Sequence, residues 1–223
     1  MKQAVSQETN RANLRYTANL LNSAEIEWFI FFGTLLGLTR DSDVIKGDDD
    51  IDIYVDSRCR TTLIELLSQQ GLALDLTRKP NHTQHFLQIA RVVDGEAGLI
   101  DFYFFEGESK PGVLIDRWNF LQKYDQLDKA LHVPSDMVFP LRETPFLGVT
   151  IKSPRRPRDI VQWLYGKEWE TPLDKSFGYE ISVSNNRPVL KKRMPRHIER
   201  WIPRPFRPIA RRLYFCKGSS KAR

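Results

Sequence analysis

The sequence predicts an α+β fold, a mixed sheet flanked by helices, with a basic C-terminal extension. Three observations point there. Apolar residues make up 41% of the 223 positions and charged residues 28%, enough to build one sizeable core. Segments with helical spacing are interspersed with short β-branched and aromatic runs. Charge is divided unevenly. Residues 187–223 hold 13 Lys or Arg and one acid, Glu199, a net +12, whereas residues 1–186 hold 21 basic and 27 acidic residues, a net −6. The overall +6 is therefore a mildly acidic body with a strongly basic tail. The division this suggests is a domain over residues 1–175 and an extension over 176–223.

The elements follow in order. From Gln7 to Leu21, the positions Leu14, Ala18 and Leu21 form one stripe of an amphipathic helix. Glu27 to Phe32 reads as a buried strand. It ends at Gly33-Thr34, where Thr34 is expected to cap a short helix running to about Arg40. Asp41 to Gly47 is a polar loop, and Ile51 to Val55 alternates as a strand. Asp56 or Ser57 then caps a helix to about Gln70, stopped by Gly71. Leu72 to Leu76, His85 to Val93 and Leu99 to Phe105 read as three further strands. Pro80-Asn81 and Asp94-Gly95 mark turns, the second a tight hairpin. Residues 111–140 carry no clear pattern. Val138 to Ile151 can hold two short strands around a turn, and Arg158 to Tyr165 a helix that ends at Gly166. From Pro172 to about Arg196 the chain is expected to be irregular.

The chemistry concentrates in the run Asp48-Asp49-Asp50-Ile51-Asp52. On extended chain, spacing of two places Asp48, Asp50 and Asp52 on one face, with Ile51, Ile53 and Val55 turned to the core and Asp49 turned away from the site. Carboxylates held this close repel unless solvent or a cation neutralises them. Hard oxygen ligands of this kind suit Mg²⁺ or Mn²⁺. A solvated acidic loop is the plain alternative, but the run enters an apolar strand, where an ionised carboxylate is costly without a partner. A second element is Phe32-Gly33-Thr34-Leu35-Leu36-Gly37 with Arg40. A helix start after a strand offers N–H groups and a hydroxyl to phosphate oxygens, and Arg40 can add a charged contact. The third is Asp101, one acid within the apolar run Leu99 to Tyr103. It is either a satisfied buried acid or an edge position, or else strand pairing brings it beside Asp50 and Asp52 as a third metal ligand.

Taken together, the chain resembles the nucleotidyltransferase fold, and more closely the LicD family, which includes bacterial phosphocholine transferases and fukutin-type ribitol-phosphate transferases. The resemblance lies in Gly33-Thr-Leu-Leu-Gly37 through Arg40, the seven-residue gap from Asp41 to Gly47, and the run from Asp48 to Asp52. It extends to Phe146-Leu-Gly-Val-Thr-Ile151 and to Tyr165-Gly-Lys-Glu-Trp169-Glu-Thr-Pro172, so it spans roughly residues 10–172. The chain departs from the family at Gly47, where Trp or another large residue is common, and in the acidic stretch Asp41-Ser42-Asp43.

The resemblance implies a nucleotidyltransferase-fold catalytic domain over 1–175 that transfers a phosphate-bearing group, phosphocholine-like or alditol phosphate, from a CDP-linked donor. The acceptor would be a cell-surface glycan or lipid-linked sugar. Asp50, Asp52 and Asp101 become ligands of Mg²⁺ or Mn²⁺, and Asp48 a catalytic outer-shell or base residue. Gly33, Thr34 and Arg40 become donor phosphate contacts. Two other readings stay open: a nucleotidyltransferase proper acting on a sugar phosphate, protein or RNA, and a non-catalytic membrane-associated binding module.

The remaining features are less specific. Trp163, Tyr165 and Trp169 could box a quaternary ammonium group, or be core. Cys59 and Cys216 lie too far apart in sequence for a metal motif or a disulfide framework, which fits a reducing, cytoplasmic setting. No secretory leader and no spanning helix are expected. In the extension, Trp201, Ile202, Phe206, Ile209 and Leu213 alternate with arginines. That pattern suits the anionic inner face of a membrane, with nucleic acid a less favoured partner and packing against a partner protein a third use.

Overall fold

The computed structural model describes residues 5–72, 85–107, 112–117, 130–172 and 179–192, together with positions 203 and 205. The expected strand Leu72–Leu76, the turn at Pro80-Asn81 and nearly all of the basic tail beyond residue 192 lie outside the described residues.

Helix α1 spans Gln7–Ser23. Ser6 caps it by accepting the N–H of Thr9 at 3.2 Å, an interaction worth about 1 kcal/mol. Strand β1 (Trp28–Ile30) leads into α2 (Phe32–Asp41), then β2 (Asp50–Asp56). A short 3₁₀ turn at Ser57–Cys59, capped by Asp56, precedes α3 (Arg60–Gln69). Strands β3 (Phe86–Val93), β4 (Glu96–Glu106), β5 (Val113–Asp116) and β6 (Leu131–Pro134) follow, then the single turn α4 (Ser135–Val138). The described residues end with the hairpin β7 (Arg142–Phe146) and β8 (Val149–Ser153), helix α5 (Pro157–Tyr165), and the hairpin β9 (Tyr179–Ser184) and β10 (Arg187–Lys192).

Strands β1 to β6 form one mixed sheet in the order β1-β2-β4-β5-β6, with β3 paired to β4. Strands β2 and β4 run parallel, and their register decides what each face presents. Ile51, Ile53 and Val55 align with Ile100, Phe102 and Phe104 on one face. Helix α1 covers that face, burying Leu14, Ala18 and Leu21 completely. Each buried leucine contributes about 1.5–3 kcal/mol relative to exposure. Asp50, Asp52 and Tyr54 align with Leu99, Asp101 and Tyr103 on the other face. There α2 packs against β2, and α5 packs against α2. The floor of this second face is aromatic: Phe31 stacks on Tyr54 with ring centroids 4.2 Å apart, and Phe29, Phe32, Phe105 and Tyr103 pack edge-on or tilted around it.

Among the described residues, three tight hairpins turn on two residues with positive φ: Asp94 and Gly95, Leu147 and Gly148, Asn185 and Asn186. This matches the twist that tight antiparallel hairpins require. The expected hairpin at Asp94-Gly95 is present, and the two short strands expected within Val138 to Ile151 are β7 and β8, the second running on to Ser153. The expectation of irregular chain after Pro172 is corrected: Asn185-Asn186 turns β9 back onto β10. Ile181, Val183 and Leu190 of this hairpin pack against the core. Asn tolerates the left-handed region, so an Asn-Asn pair between apolar runs was the available signal. Trp163, Tyr165 and Trp169 also belong to the core or lie against it.

Candidate functional site

The site forms where α2 meets the beginning of β2. Asp52 and Asp101 are direct partners across the parallel β2–β4 pair. Carboxylate oxygens of Asp50, Asp52 and Asp101 lie within 4.8 Å of one another. Asp52 is 7% exposed and Asp101 6% exposed, while Asp50 is half-buried. Asp48 precedes the strand, and its Oδ2 lies beside Gly33 together with that of Asp52. Asp49 stands apart from this cluster: it is not among the carboxylates gathered with Asp52 and Asp101, and the acids that act on Asp52 are Asp50, Asp101 and Asp48. It lies just before β2 begins, with its carboxylate within 4.8 Å of those of its sequence neighbours Asp48 and Asp50.

Residues 31–34 hold Asp52 at three points, and Tyr103 holds it at a fourth. Its backbone N–H donates to Thr34 Oγ1 at 2.8 Å, and its carbonyl accepts the N–H of Phe31 at 3.2 Å. Its Oδ2 accepts the N–H of Gly33 at 2.8 Å. Its Oδ1 accepts the Tyr103 hydroxyl at 3.3 Å, Tyr103 itself packing against Phe32. Phe32 adopts φ 40°, an uncommon backbone for a bulky residue, held by the aromatic floor. Thr34 is thus not the helix cap expected. The cap position is Phe31, whose ring offers no acceptor, and the Thr34 hydroxyl is committed to Asp52. The Gly33 N–H is likewise committed. Arg40 lies at the other end of α2, about 10 Å along the axis, and donates to Asp41 from Nε at 2.8 Å and Nη2 at 2.7 Å.

Burial pushes the Asp52 carboxyl well above the usual carboxylate range, and the charges of Asp50, Asp101 and Asp48 push it further. The Gly33 N–H opposes them. Burial also raises the Tyr103 hydroxyl, with Asp52 and Asp101 next in effect, so it stays protonated and available as a donor. Two largely buried carboxylates facing a third are the donor set a hard divalent cation takes, and such a cation would offset their repulsion.

Further residues that the sequence did not single out frame the cluster. Gln88, paired with Asp101 in register, donates its side-chain amide to Asp101 Oδ1. Asn10 on α1 donates to the carbonyl of Asp48 at 3.0 Å. Gln7 donates to the carbonyl of Val44 at 2.7 Å, and Arg11 pairs with Asp43. Helix α1 therefore anchors the loop that leads into the acidic run. A Gln among the apolar residues Phe86, Leu87, Ile89 and Ala90 was the one sequence signal among these.

The family model for the LicD/FKTN/FKRP nucleotidyltransferase domain matches residues 25–156. The chain belongs to the LicD/FKTN/FKRP family. It is a transferase of nucleotidyltransferase fold, and the match takes in α2, the acidic run and Asp101, while α1 lies before it. No curated protein matches the chain. Among solved structures, the lincomycin-bound lincosamide antibiotic adenylyltransferase LnuA is 14% identical, with 67% of this chain and 81% of that chain covered and a TM-score of 0.46. The antibiotic-resistance factor ANT(2'')-Ia is 10% identical, with 66% of each chain covered and a TM-score of 0.41. Likenesses this distant bear on neither substrate nor mechanism. No described helix of this LicD-family chain is long and apolar enough to cross a membrane.

Proposed function

We propose that the protein transfers a substituted phosphate group, phosphocholine-like or alditol phosphate, from a CDP-linked donor to a hydroxyl of a glycan or lipid-linked sugar. The observation that carries this is the in-register pairing of Asp52 with Asp101, which gathers their carboxylates with that of Asp50 within 4.8 Å. Family membership supports the transfer of a phosphate-bearing group.

In this reading Asp50, Asp52 and Asp101 hold Mg²⁺ or Mn²⁺. A divalent cation there would neutralise charge on the donor diphosphate and on the departing nucleotide phosphate. Gly33 and Thr34 orient Asp52 from the N-terminus of α2 and, with Arg40 further along that helix, form the donor side. The acceptor oxygen forms a bond to the distal phosphorus as the bond from that phosphorus to the bridging oxygen breaks. CMP leaves, and the acceptor proton passes to a carboxylate. Asp48, partly exposed beside Asp52, suits that role, since a base must meet the incoming hydroxyl. The basic, aromatic C-terminal segment would hold the enzyme to an anionic membrane surface near a lipid-linked acceptor.

The test is incubation of the purified protein with Mg²⁺, a sugar acceptor and a panel of CDP-linked donors, following CMP release. Transfer to acceptor with CMP as co-product is expected, and Asp50→Asn and Asp52→Asn should abolish it with the fold intact. Full turnover by both variants in EDTA would sink the metal role. A product that carries the nucleotide would instead indicate a nucleotidyltransferase proper.

A further inference from the structure

We infer that Tyr103 and Gln88 are positioning residues that aim the two buried carboxylates, and so set how tightly the site holds a divalent cation. The inference rests on the metal role proposed for Asp52 and Asp101.

Tyr103 follows Asp101 by two residues on β4 and so projects from the same face of the sheet. Its ring is clamped by Phe32 and Phe86, with centroids 5.0 Å and 5.1 Å away, and by Tyr54 at 5.8 Å. That packing delivers its hydroxyl to Asp52 Oδ1. Gln88 stands opposite Asp101 on β3 and delivers its amide to Asp101 Oδ1. Both residues are largely buried, Gln88 at 7% and Tyr103 at 9% exposed.

A carboxylate turns about a single bond, so pinning one oxygen fixes where the other points. Each carboxylate oxygen has two lone-pair positions, so a donor placed on one of them sets the direction in which the group can meet a cation. Gly33 and Tyr103 hold one oxygen each on Asp52, and Gln88 holds one on Asp101. Tyr103 and Gln88 are neutral donors. They orient the acids without bringing a positive charge that would compete with the cation, as Arg or Lys would. Partners of this kind, one step outside the metal's own ligands, change affinity or activity about 10–100-fold when removed.

The test uses Tyr103→Phe, which keeps the ring and removes only the hydroxyl, and Gln88→Met, which keeps the length and removes the donor. Mn²⁺ affinity of the full chain is measured by electron paramagnetic resonance, beside circular dichroism spectra and steady-state kinetics. Each variant is expected to retain the wild-type spectrum and bind Mn²⁺ about tenfold more weakly or worse. Saturating Mn²⁺ should restore kcat, a recovery that a generally damaged fold would not show. Wild-type Mn²⁺ affinity in both variants, with Asp52→Asn unable to bind, would overturn the positioning role while leaving the metal site standing. Wild-type affinity in Asp52→Asn itself would overturn the metal reading and this inference with it.

Discussion

Gly33 donates its backbone N–H to the side chain of Asp52 at 2.8 Å, across 19 positions of sequence. Thr34, the next residue, accepts the backbone N–H of Asp52 at the same distance. The Gly-Thr step and the acidic run are therefore one mechanical unit. What looks like a phosphate-binding helix start in the sequence is, in the folded chain, also the clamp on a buried carboxylate.

This clamp makes Gly33 sensitive to a single methyl group. A Cβ there would lie 3.0 Å from Oδ2 of both Asp48 and Asp52, closer than side chains normally approach. Gly33→Ala is expected to displace both carboxylates and weaken Mn²⁺ binding and turnover about 10–100-fold. The circular dichroism spectrum should stay as in the wild type. Unaltered Mn²⁺ affinity would exclude this close approach.

Asp52→Asn is expected to stabilise the metal-free fold while removing metal binding. Burial and three acidic neighbours all disfavour charge on Asp52, and the amide keeps an oxygen for the Gly33 N–H. In the wild-type protein, free cation at 100 times its dissociation constant should add about 2.7 kcal/mol of stability. Scanning calorimetry with and without Mg²⁺ checks both halves. A metal-free variant that melts below the wild type would contradict the argument.

Gly37 tests how closely α2 must approach the loop before the acidic run. A Cβ at Gly37 would lie 2.4 Å from the carbonyl oxygen of Asp43 and 3.1 Å from the backbone nitrogen of Ile45. Backbone atoms cannot swing aside as a side-chain tip can. Gly37→Ala should therefore cost about 1–3 kcal/mol, as overpacking does. The readout is a shift in the urea midpoint, and an unshifted midpoint would exclude this close approach.

The Arg11–Asp43 pair predicts an acid limb of stability. Hydrogen bonds from the Arg11 guanidinium hold the Asp43 carboxyl below its ordinary range, with burial opposing them. A depressed pKa in the folded state means that its contribution is fully present above the ordinary value of 3.8 and is lost as pH falls through the folded value. Below about pH 4 the wild type should lose stability more steeply than Arg11→Met does. Thermal melts taken from about pH 6 to about pH 2.5 measure the difference, and parallel curves would dismiss the pair.

The sequence by itself determined the parts that depend on local spacing. Leu14, Ala18 and Leu21 share one helical stripe because a helix turns every 3.6 residues, and Asp50 and Asp52 share a face because a strand alternates every two. Asp94-Gly95 marks a hairpin because the turn demands positive φ at both residues.

Only the tertiary structure decided how distant segments meet. The register of β2 on β4 places Asp101, rather than a residue two positions away, against Asp52. Strand periodicity leaves that choice open, since any even slip keeps the same faces. The Gly33 N–H carries no side-chain signature, so its bond to Asp52 could not be read from residue types. Gln88, Tyr103 and Asn10 join the cluster because sheet and helix packing deliver them there. Periodicity says which way a side chain points, and packing says what it meets.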